Sequence, residues 1–555
     1  MTKRDSNFVI LAVVDGWGLA PAGPANAISQ ANTINMNRFW VSYPHTRLEA
    51  AGESVGLPRG EAGNTETGHL NLGAGQIVYQ DLARINMSIA DGTFFDNQAL
   101  LGAINHAKKN GSKLHLMGLT GAGGVHSNIE HLFALIHLAA KQNFKDLYLH
   151  LFTDGRDSPP TSSNIYIANI LKKTEKEGVG KIASIMGRYW AMDRDRRWER
   201  TAKAYFALTK GVGHLVKTPA EAVKLSYDQG KTDEFIEPAL VSDASGKPLA
   251  LITDNDAVIF YNFRIDRPRQ LTKAFISKDF TKRSYEWDFD PYAVKYEKTH
   301  DPTVKRVSPS APFDRGEPLK NLYFAIMTEY GKPLLEDGAK VVIPPQKIDL
   351  PLGRIISENN LKQLKVSESE KERFVTFYFN GQNENPFSGE ERIILPSPKV
   401  PTYDQKPEMS ANEITEALLN SLRNDGDFSF ALINYANPDM VGHTGNIGPA
   451  VKACEVADFC LGKLANYTLA YGGSLIITAD HGNVEEMINS KTGEIDTEHS
   501  TNPVPFIIVS KKYLGKGQTL QSGILADVAP TILGLLGIKP PDNMTGRDLL
   551  KELGS

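Results

Sequence analysis

The 555-residue chain has 41% hydrophobic and 23% charged residues and a formal net charge of −4. That composition is globular and offers no basic field for nucleic acid, and the length implies two or more domains. The two cysteines, Cys454 and Cys460, are six residues apart, which excludes a disulfide framework and fits a reducing cytoplasm. No apolar run reaches membrane-spanning length, and the run from Phe8 to Val14 is short for a signal peptide and ends on Asp15. A cytoplasmic protein with no nucleic-acid or membrane partner is expected.

Phe8 to Val14 is rich in β-branched residues and reads as a buried parallel strand, stopping at Asp15-Gly-Trp-Gly. Between Gly60 and Gly75, glycines allow close backbone approach, and Asn64-Thr65-Glu66 reads as a capped helix start. A phosphate formed on a hydroxyl there would be stabilised by the helix dipole, although the commoner use of such a threonine is as the cap itself. Helices are expected at Ala83–Ala90, Gln98–Lys109, Ser127–Gln142 and Thr201–Thr209. Strands are expected at Lys113–Leu119, Asp146–Phe152, Ile182–Met186, Ala257–Tyr261 and Leu322–Met327. The alternation implies a second parallel α/β layer, with ligands bound beyond the carboxyl ends of its strands. Arg156, Arg188, Arg194, Arg264 and Arg267 each follow a predicted strand. Their planar forks suit a doubly anionic substrate.

Asp279 to Pro318 is expected to be a surface excursion, and Val342-Ile-Pro-Pro345 a linker. Leu352–Gln363 then reads as a helix and Arg373–Phe379 as a strand, with Lys371 just before it. Ser410–Leu422 reads as a helix capped by Ser410 with Glu413 at the capping-box position, and Phe428–Tyr435 as a strand. Asp439 and His443 share one face of a helical turn and can chelate one ion. The helix Ile447–Ala470 makes Cys454 and Cys460 packing residues. Leu475 to Ile477 is a buried strand that runs out at Asp480-His481-Gly482. Glu498-His499 precedes the strand Pro503–Val509, and Ile524–Leu536 reads as a helix stopped by Gly537.

After His300 only His443, His481 and His499 occur, each beside a strand end. With Asp15, Asp439 and Asp480 they make six N/O ligands, enough for two divalent metals of the zinc or manganese kind. Two such ions can clamp an in-line phosphoryl displacement, and Thr65 would supply a hydroxyl nucleophile.

Eight motifs carry a resemblance over nearly the whole chain. They are Asp15-Gly-Trp-Gly, Gly63-Asn-Thr-Glu-Thr-Gly-His69, Asp154-Gly-Arg-Asp157, Gly187-Arg-Tyr-Trp-Ala-Met-Asp-Arg194, Asn262-Phe-Arg-Ile-Asp-Arg267, Asn437-Pro-Asp-Met-Val-Gly-His443, Ala479-Asp-His-Gly-Asn483 and His499-Ser-Thr-Asn-Pro-Val-Pro505. The chain resembles the cofactor-independent phosphoglycerate mutases of the alkaline phosphatase superfamily. The resemblance implies an α/β protein with two three-layer α/β/α domains. An alkaline-phosphatase-like domain (1–80 and 345–555) would be interrupted by an inserted transferase domain (81–344). It implies a glycolytic and gluconeogenic isomerase, monomeric and independent of 2,3-bisphosphoglycerate, that interconverts 3-phosphoglycerate and 2-phosphoglycerate through a phosphothreonine.

It further implies two metal ions, usually Mn2+, with Co2+ or Zn2+ compatible with the ligands. One would be held by Asp439, His443 and His499, the other by Asp15, Asp480, His481 and Thr65. Arg264, Arg267 and Lys371 would hold the migrating phosphoryl group. His126, Arg156, Asp157, Arg188 and Arg194 would hold the glycerate, with Asp157 moving protons on and off its hydroxyls. Three positions depart from the family pattern: Thr65 stands for the usual Ser, Thr67 for Val, and Ala122 for an acidic residue. A metal-dependent phosphomonoesterase or a phosphopentomutase is the competing reading of the metal half. A catalytically inactive binding protein would require missing ligands, and none is missing.

Overall fold

In the computed structural model, residues 8–285, 311–424, 427–489 and 492–553 are described. The chain divides into two compact units, Met1–Gln80 with Gln346–Ser555, and Asp81–Pro345. In chain order the strands are β1 (Val9–Val14), β2 (His45–Glu49), β3 (Leu114–Thr120), β4 (Leu147–Thr153), β5 (Lys181–Gly187), β6 (His214–Val216), β7 (Ala239–Val241) and β8 (Ala257–Phe260). They continue with β9 (Tyr323–Ile326), β10 (Lys340–Val341), β11 (Lys362–Glu368), β12 (Glu390–Leu395), β13 (Phe428–Tyr435), β14 (Ser474–Thr478), β15 (Val504–Ser510) and β16 (Gly523–Ile524). Among the described residues no helix is long and apolar enough to cross a membrane.

The first unit is an eight-stranded sheet in the order β12-β11-β13-β1-β14-β15-β2-β16. Its centre is parallel, with β1 between β13 and β14, while β15 runs antiparallel to both β14 and β2. β1 is buried along its whole length because both edges and both faces are covered, which is why it reads as unbroken Val, Ile, Leu and Ala. Helices Ile34–Ser42, Ala411–Asn424 and Ile447–Tyr471 form one packed group, and Thr65–Ala74, Leu352–Glu358 and Val528–Leu535 another.

The second unit is also eight-stranded, in the order β10-β9-β8-β3-β4-β5-β7-β6, parallel except where β7 opposes β5. Alternate residues separate into two cores, as the two-residue period of a strand requires. Leu114, Leu116, Ile259 and Ala325 pack with Ile104 and Leu132, whereas Met117, Leu119, Phe260 and Ile326 pack with Trp198 and Phe275. Helices thus cover both faces of this sheet.

Three predicted elements differ. Arg373–Phe379 is not a strand but a π-helical turn at Phe374–Tyr378. Its β-branched and aromatic content favours extension, but Phe374 and Tyr378 stack at 5.7 Å one helical turn apart, and Tyr378 packs with Leu70 and Ala74. The helix from Leu352 ends at Glu358, where Asn360 takes a left-handed conformation (φ 58°) and the chain enters β11. The C-terminal helix begins at Val528 after a 3₁₀ turn, with the Asp527 carboxylate accepting from the Ile524 N–H at 2.9 Å. Ser410 precedes its helix, but its hydroxyl donates to the Pro396 carbonyl at 2.9 Å. Of the Asp279–Pro318 excursion, Phe280–Tyr285 is helical and residues 286–310 lie outside the described residues.

Buried neutral imidazoles run through the second unit. Ser184 donates to His150 Nδ1 at 2.7 Å, His150 meets His115 Nδ1 at 2.9 Å, and His115 Nε2 reaches Asp256 at 3.2 Å. On the helix Ile129–Lys141, burial pushes His131 down to about 3, and its Nε2 donates to Asn86 Oδ1 at 2.9 Å. The folded state therefore refuses a proton that the unfolded chain binds below about 6.5, so stability falls as the pH drops through 6.5 toward 3. The unfolding free energy of the wild type is expected to decline between pH 7 and 5 more steeply than that of His131→Gln. The difference should approach one proton, about 1.4 kcal/mol per pH unit. Equal slopes in denaturant titrations would show that burial does not keep His131 neutral.

Candidate functional site

In the first unit, chain after chain ends its strand at the same edge. Asp15 follows β1, Lys371 follows β11, the helix Asn437–Gly442 that carries Asp439 follows β13, and Asp480 and His481 follow β14. His499 precedes β15, whose antiparallel direction starts it at that edge. The helix Thr65–Ala74 is capped by Asn64, whose side-chain oxygen accepts from the Thr67 N–H at 2.9 Å and the Thr67 hydroxyl at 2.8 Å. Thr65 is thereby relieved of capping. Its hydroxyl lies 2.9 Å from His481 Nε2 and accepts from Lys371 Nζ at 3.2 Å. Lys371 Nζ also donates to Asp15 Oδ1 at 2.7 Å and to Asp439 Oδ2 at 2.8 Å.

Three histidines present the same nitrogen to this cluster. Nδ1 of His443 faces the Thr497 carbonyl at 2.7 Å, Nδ1 of His499 the Gly63 carbonyl at 2.9 Å, and Nδ1 of His481 the Gly482 carbonyl at 3.2 Å. A carbonyl only accepts, so Nδ1 carries a proton in each ring and Nε2 is the atom that could ligate a cation. The Nε2 atoms of His443 and His499 are 3.1 Å apart, and they stand 3.3 and 3.4 Å from Asp439 Oδ1. His481 Nε2 is 3.4 Å from Asp15 and 3.5 Å from Asp480, and its ring stacks on His499 at 3.8 Å. Ligand atoms of Asp439, His481 and His499 lie within 4.8 Å of one another, as do those of Asp15, His69 and Asp480.

Charge explains the shifts. Asp15, Asp439 and Asp480 are fully buried. Burial works against the Lys371 ammonium, but the three carboxylates outweigh it and hold the group well above its ordinary value. Burial likewise pushes His481 down, yet Asp480, Asp15 and Asp439 hold it up at about 9. Asp439 raises His443, while burial and the neighbouring His481 lower His499. Three carboxylates are offset by the Lys371 ammonium and the His481 imidazolium; loss of the His481 proton leaves two negative charges with an imidazole lone pair directed at them. This donor set fits two divalent cations.

The sequence reading passed over His69, although it closes the Gly63–His69 motif. It sits one turn after Thr65, donates from Nδ1 to the Thr65 carbonyl at 3.0 Å, and takes the Asn434 amide on Nε2 at 3.1 Å. The same amide donates to Asp15 Oδ2 at 2.9 Å. His69 Nδ1 also lies 3.2 Å from Asp480 Oδ2, so with both ring nitrogens engaged His69 braces Asp480 directly and Asp15 through Asn434 rather than offering a lone pair. The signal was its i, i+4 spacing from Thr65 on a helix.

The second unit gathers the arginines. Arg188, 2% exposed, donates through Nη1 to Asp154 Oδ1 at 2.6 Å and to Asp157 Oδ2 at 2.5 Å. Its Nε and Nη2 have no hydrogen-bond partner among the described residues. Arg194 donates to Asp266 at 2.7 Å, Arg156 to Glu234, and Arg267 to the Met192 carbonyl at 3.1 Å. Arg264 Nε lies 3.5 Å from Asp266. His126 stands between Asp157 (3.8 Å) and Asp266 (3.5 Å). Burial, reinforced by Arg188, Arg264 and Arg267 against the pull of Asp266, pushes His126 down to about 3, so it is neutral. Burial and the neighbouring guanidiniums bring Arg267 to about 10. Burial alone would raise Asp157, but the Arg188 bond holds it below the usual carboxylate range. Asp154, Asp266 and Glu234 were not singled out from the sequence, though two of them lie inside quoted motifs. Ala122, a departure from the family pattern, gives its N–H to Ser158 Oγ at 3.0 Å.

A family model described as BPG-independent PGAM N-terminus (iPGM_N) matches residues 85–332. A 2,3-bisphosphoglycerate-independent phosphoglycerate mutase from Moorella thermoacetica is 46% identical over 542 residues, covering 98% of each chain. The protein of that name from Chloroflexus aggregans is 46% identical over 546 residues, again 98% of each chain. Among solved structures, Leishmania mexicana phosphoglycerate mutase at low cobalt concentration aligns with a TM-score of 0.58 and 29% identity. The alignment covers 98% of this chain and 97% of that one.

His481 must lose its proton before Nε2 can ligate a cation. Manganese affinity of chelator-stripped protein is therefore expected to rise with pH up to about 9, by roughly tenfold per unit, with about one proton released per chain. Calorimetric titrations at pH 7.5 in buffers of different ionisation enthalpy measure that release. Heats independent of the buffer would show that His481 is not displaced from its proton by the ion.

Proposed function

The chain belongs to the 2,3-bisphosphoglycerate-independent phosphoglycerate mutases, which are isomerases, and from that premise we propose how its own residues divide the work. The substrate pair is 3-phosphoglycerate and 2-phosphoglycerate, interconverted through a phosphothreonine at Thr65. The observation that carries this reading is the Thr65 hydroxyl. It is spared capping by Asn64 and stands at a helix N-terminus beside His481 and Lys371.

Asp439, His443 and His499 would hold one divalent ion, and Asp15, Asp480, His481 and the Thr65 oxygen the other. When bound, the ions supply a lowered pKa at the Thr65 hydroxyl and positive charge for the phosphoryl oxygens. Manganese is the ion proposed. Cobalt and zinc suit the same ligands, and the Leishmania mexicana structure was obtained at low cobalt concentration. Thr65 Oγ gives up its proton to water and attacks phosphorus; the Oγ–P bond forms and the bond from phosphorus to the C3 oxygen breaks. Asp157, a carboxylate at rest, would take up a proton from water and pass it to that departing oxygen, then, a carboxylate again, remove the proton from the C2 hydroxyl. The C2 oxygen then takes the phosphoryl group and frees Thr65. Arg188 holds Asp157 as a carboxylate, the state the second half-reaction needs. Lys371, Arg264 and Arg267 would neutralise the phosphoryl group. Arg156, Arg188 and Arg194 would hold the glycerate carboxylate, with neutral His126 as a hydrogen-bond partner. The helix beginning at Thr65 favours added negative charge at that hydroxyl. We place the enzyme in the cytoplasm as a monomer.

The test is a coupled assay for 2-phosphoglycerate formation from 3-phosphoglycerate, with manganese and without 2,3-bisphosphoglycerate. Thr65→Ala is expected to lower kcat by at least about 10⁴-fold and Thr65→Ser to stay within about tenfold of wild type. Release of inorganic phosphate in place of isomerisation would move the protein to the phosphomonoesterase reading. Asp157→Asn should lose about 10²- to 10⁴-fold in kcat with manganese affinity unchanged. A fully active Asp157→Asn enzyme would remove the proton-carrier role.

A further inference from the structure

Glu485 lies beyond the Asp480–Asn483 loop and belongs to neither ligand set. Its side chain is 2% exposed, and among the described residues it forms no ion pair. Burying an unpaired carboxylate is unfavourable unless hydrogen bonds replace its water. Four do so, all from uncharged donors. Oε2 accepts from the Gly18 N–H at 2.9 Å and the Asn483 N–H at 2.8 Å. Oε1 accepts from the Ser500 hydroxyl and from the Asn502 amide at 3.1 Å.

Those donors come from three separate loops, and each loop bears residues of the cation site. Gly18 follows Asp15 by three positions, Asn483 follows His481 by two, and Ser500 is next to His499. Asn483 extends the reach to a fourth segment, because its amide donates to Asp439 Oδ1 at 2.8 Å. The loops also bond directly, with the Ser500 N–H to the Gly482 carbonyl at 3.0 Å and the Val484 N–H to the Gly16 carbonyl at 3.1 Å. The fit around the carboxylate leaves no slack. A Cβ at Gly18 would fall 2.2 Å from the Glu485 carboxyl carbon, and one at Gly482 2.4 Å from Oε1.

We propose that Glu485 is a positioning residue for the cation centre. It ties the loops of Asp15, Asp480 and His481, and His499 into one frame and, through Asn483, sets the Asp439 carboxylate. The inference rests on reading that cluster as a site for two divalent ions. Four donors converging on two oxygens specify a carboxylate. An amide of the same shape accepts on one side only and turns its own N–H groups toward the donors on the other. The buried negative charge adds to the pull of the site on a cation, since a low-dielectric interior screens it little. Residues of this kind set ligand geometry and cation affinity together.

The experiment compares wild type with Glu485→Gln, stripped by chelation and titrated with manganese(II), with bound ion followed by calorimetry and by the electron paramagnetic resonance of the free ion. Wild type is expected to bind two ions per chain. Glu485→Gln is expected to bind them about 10- to 100-fold more weakly. Its metal-free form should remain folded with a lower melting temperature, its kcat should recover at saturating manganese, and its half-saturating manganese concentration should shift upward. Glu485→Ala removes volume as well, and if it fails to fold the glutamine variant still decides the matter. Wild-type manganese affinity in Glu485→Gln would overturn the positioning role. Loss of kcat that saturating manganese does not restore would overturn it too, in favour of a direct part in the chemistry. A wild-type chain that binds fewer than two ions would instead overturn the two-cation reading on which the inference stands.

Discussion

The ammonium of Lys371, held between Asp15 and Asp439, is the contact on which the architecture of the first unit turns. Three carboxylates with no access to water sit at one edge of its sheet, and an isolated buried charge is prohibitive. The chain must therefore deliver a cation from β11 to that point. It does so by ending the strand at Glu368 and tightening into a π-helical turn that keeps Lys371 inward and stacks Phe374 on Tyr378. That turn packs on the helix of Thr65, so the placement of a positive charge and of the Thr65 hydroxyl have one structural cause.

The second unit solves the opposite problem. Five arginines would repel one another if they shared only solvent. Asp154, Asp157, Asp266 and Glu234 space them, each carboxylate taking a guanidinium. Because the carboxylates are bonded from one side, Arg188 retains Nε and Nη2 for an anion. His126 stays neutral in this cationic neighbourhood for two reasons with the same sign: burial and the adjacent guanidiniums. It can give and take hydrogen bonds without adding charge to a site already rich in it.

The parts legible from sequence were those in which a residue's chemistry and its strand end coincide. Asp15 after β1, Asp480 after β14 and Asp439 after β13 could be read because buried parallel strands are unbroken apolar runs and polar residues just beyond them are conspicuous. His443 was readable through its i, i+4 spacing from Asp439. The edge strand β12 and the strand β2, next to the other edge, were not legible. Their charged residues, Arg47 and Glu49 or Glu390 and Arg392, obscure any period, and their pairing is supplied by distant chain. The segment Arg373–Phe379 misled because local preference favoured extension and tertiary packing overruled it. His69 and Glu485 were harder to read for a different reason: each acts by holding other residues, and sequence spacing does not reveal the bonds from His69 to Asn434 or from Gly18 to Glu485, hundreds of positions apart.

The placement of β1 also sets the order in which the protein can be made. Val9 pairs with Phe430 on one side and Ser474 on the other, so the central strand of the first unit waits for the last quarter of the chain. Residues 81–345 form a contiguous unit and need wait for nothing downstream. At synthesis rates of about 5–20 residues per second, β1 spends roughly 20 to 90 s as an unpaired apolar segment while the inserted unit completes itself. The arrangement thus leaves an apolar segment without its partner strands throughout that interval. It also ties the meeting of Asp15 and Asp480 to the emergence of β14, because no shorter product holds the two carboxylates together.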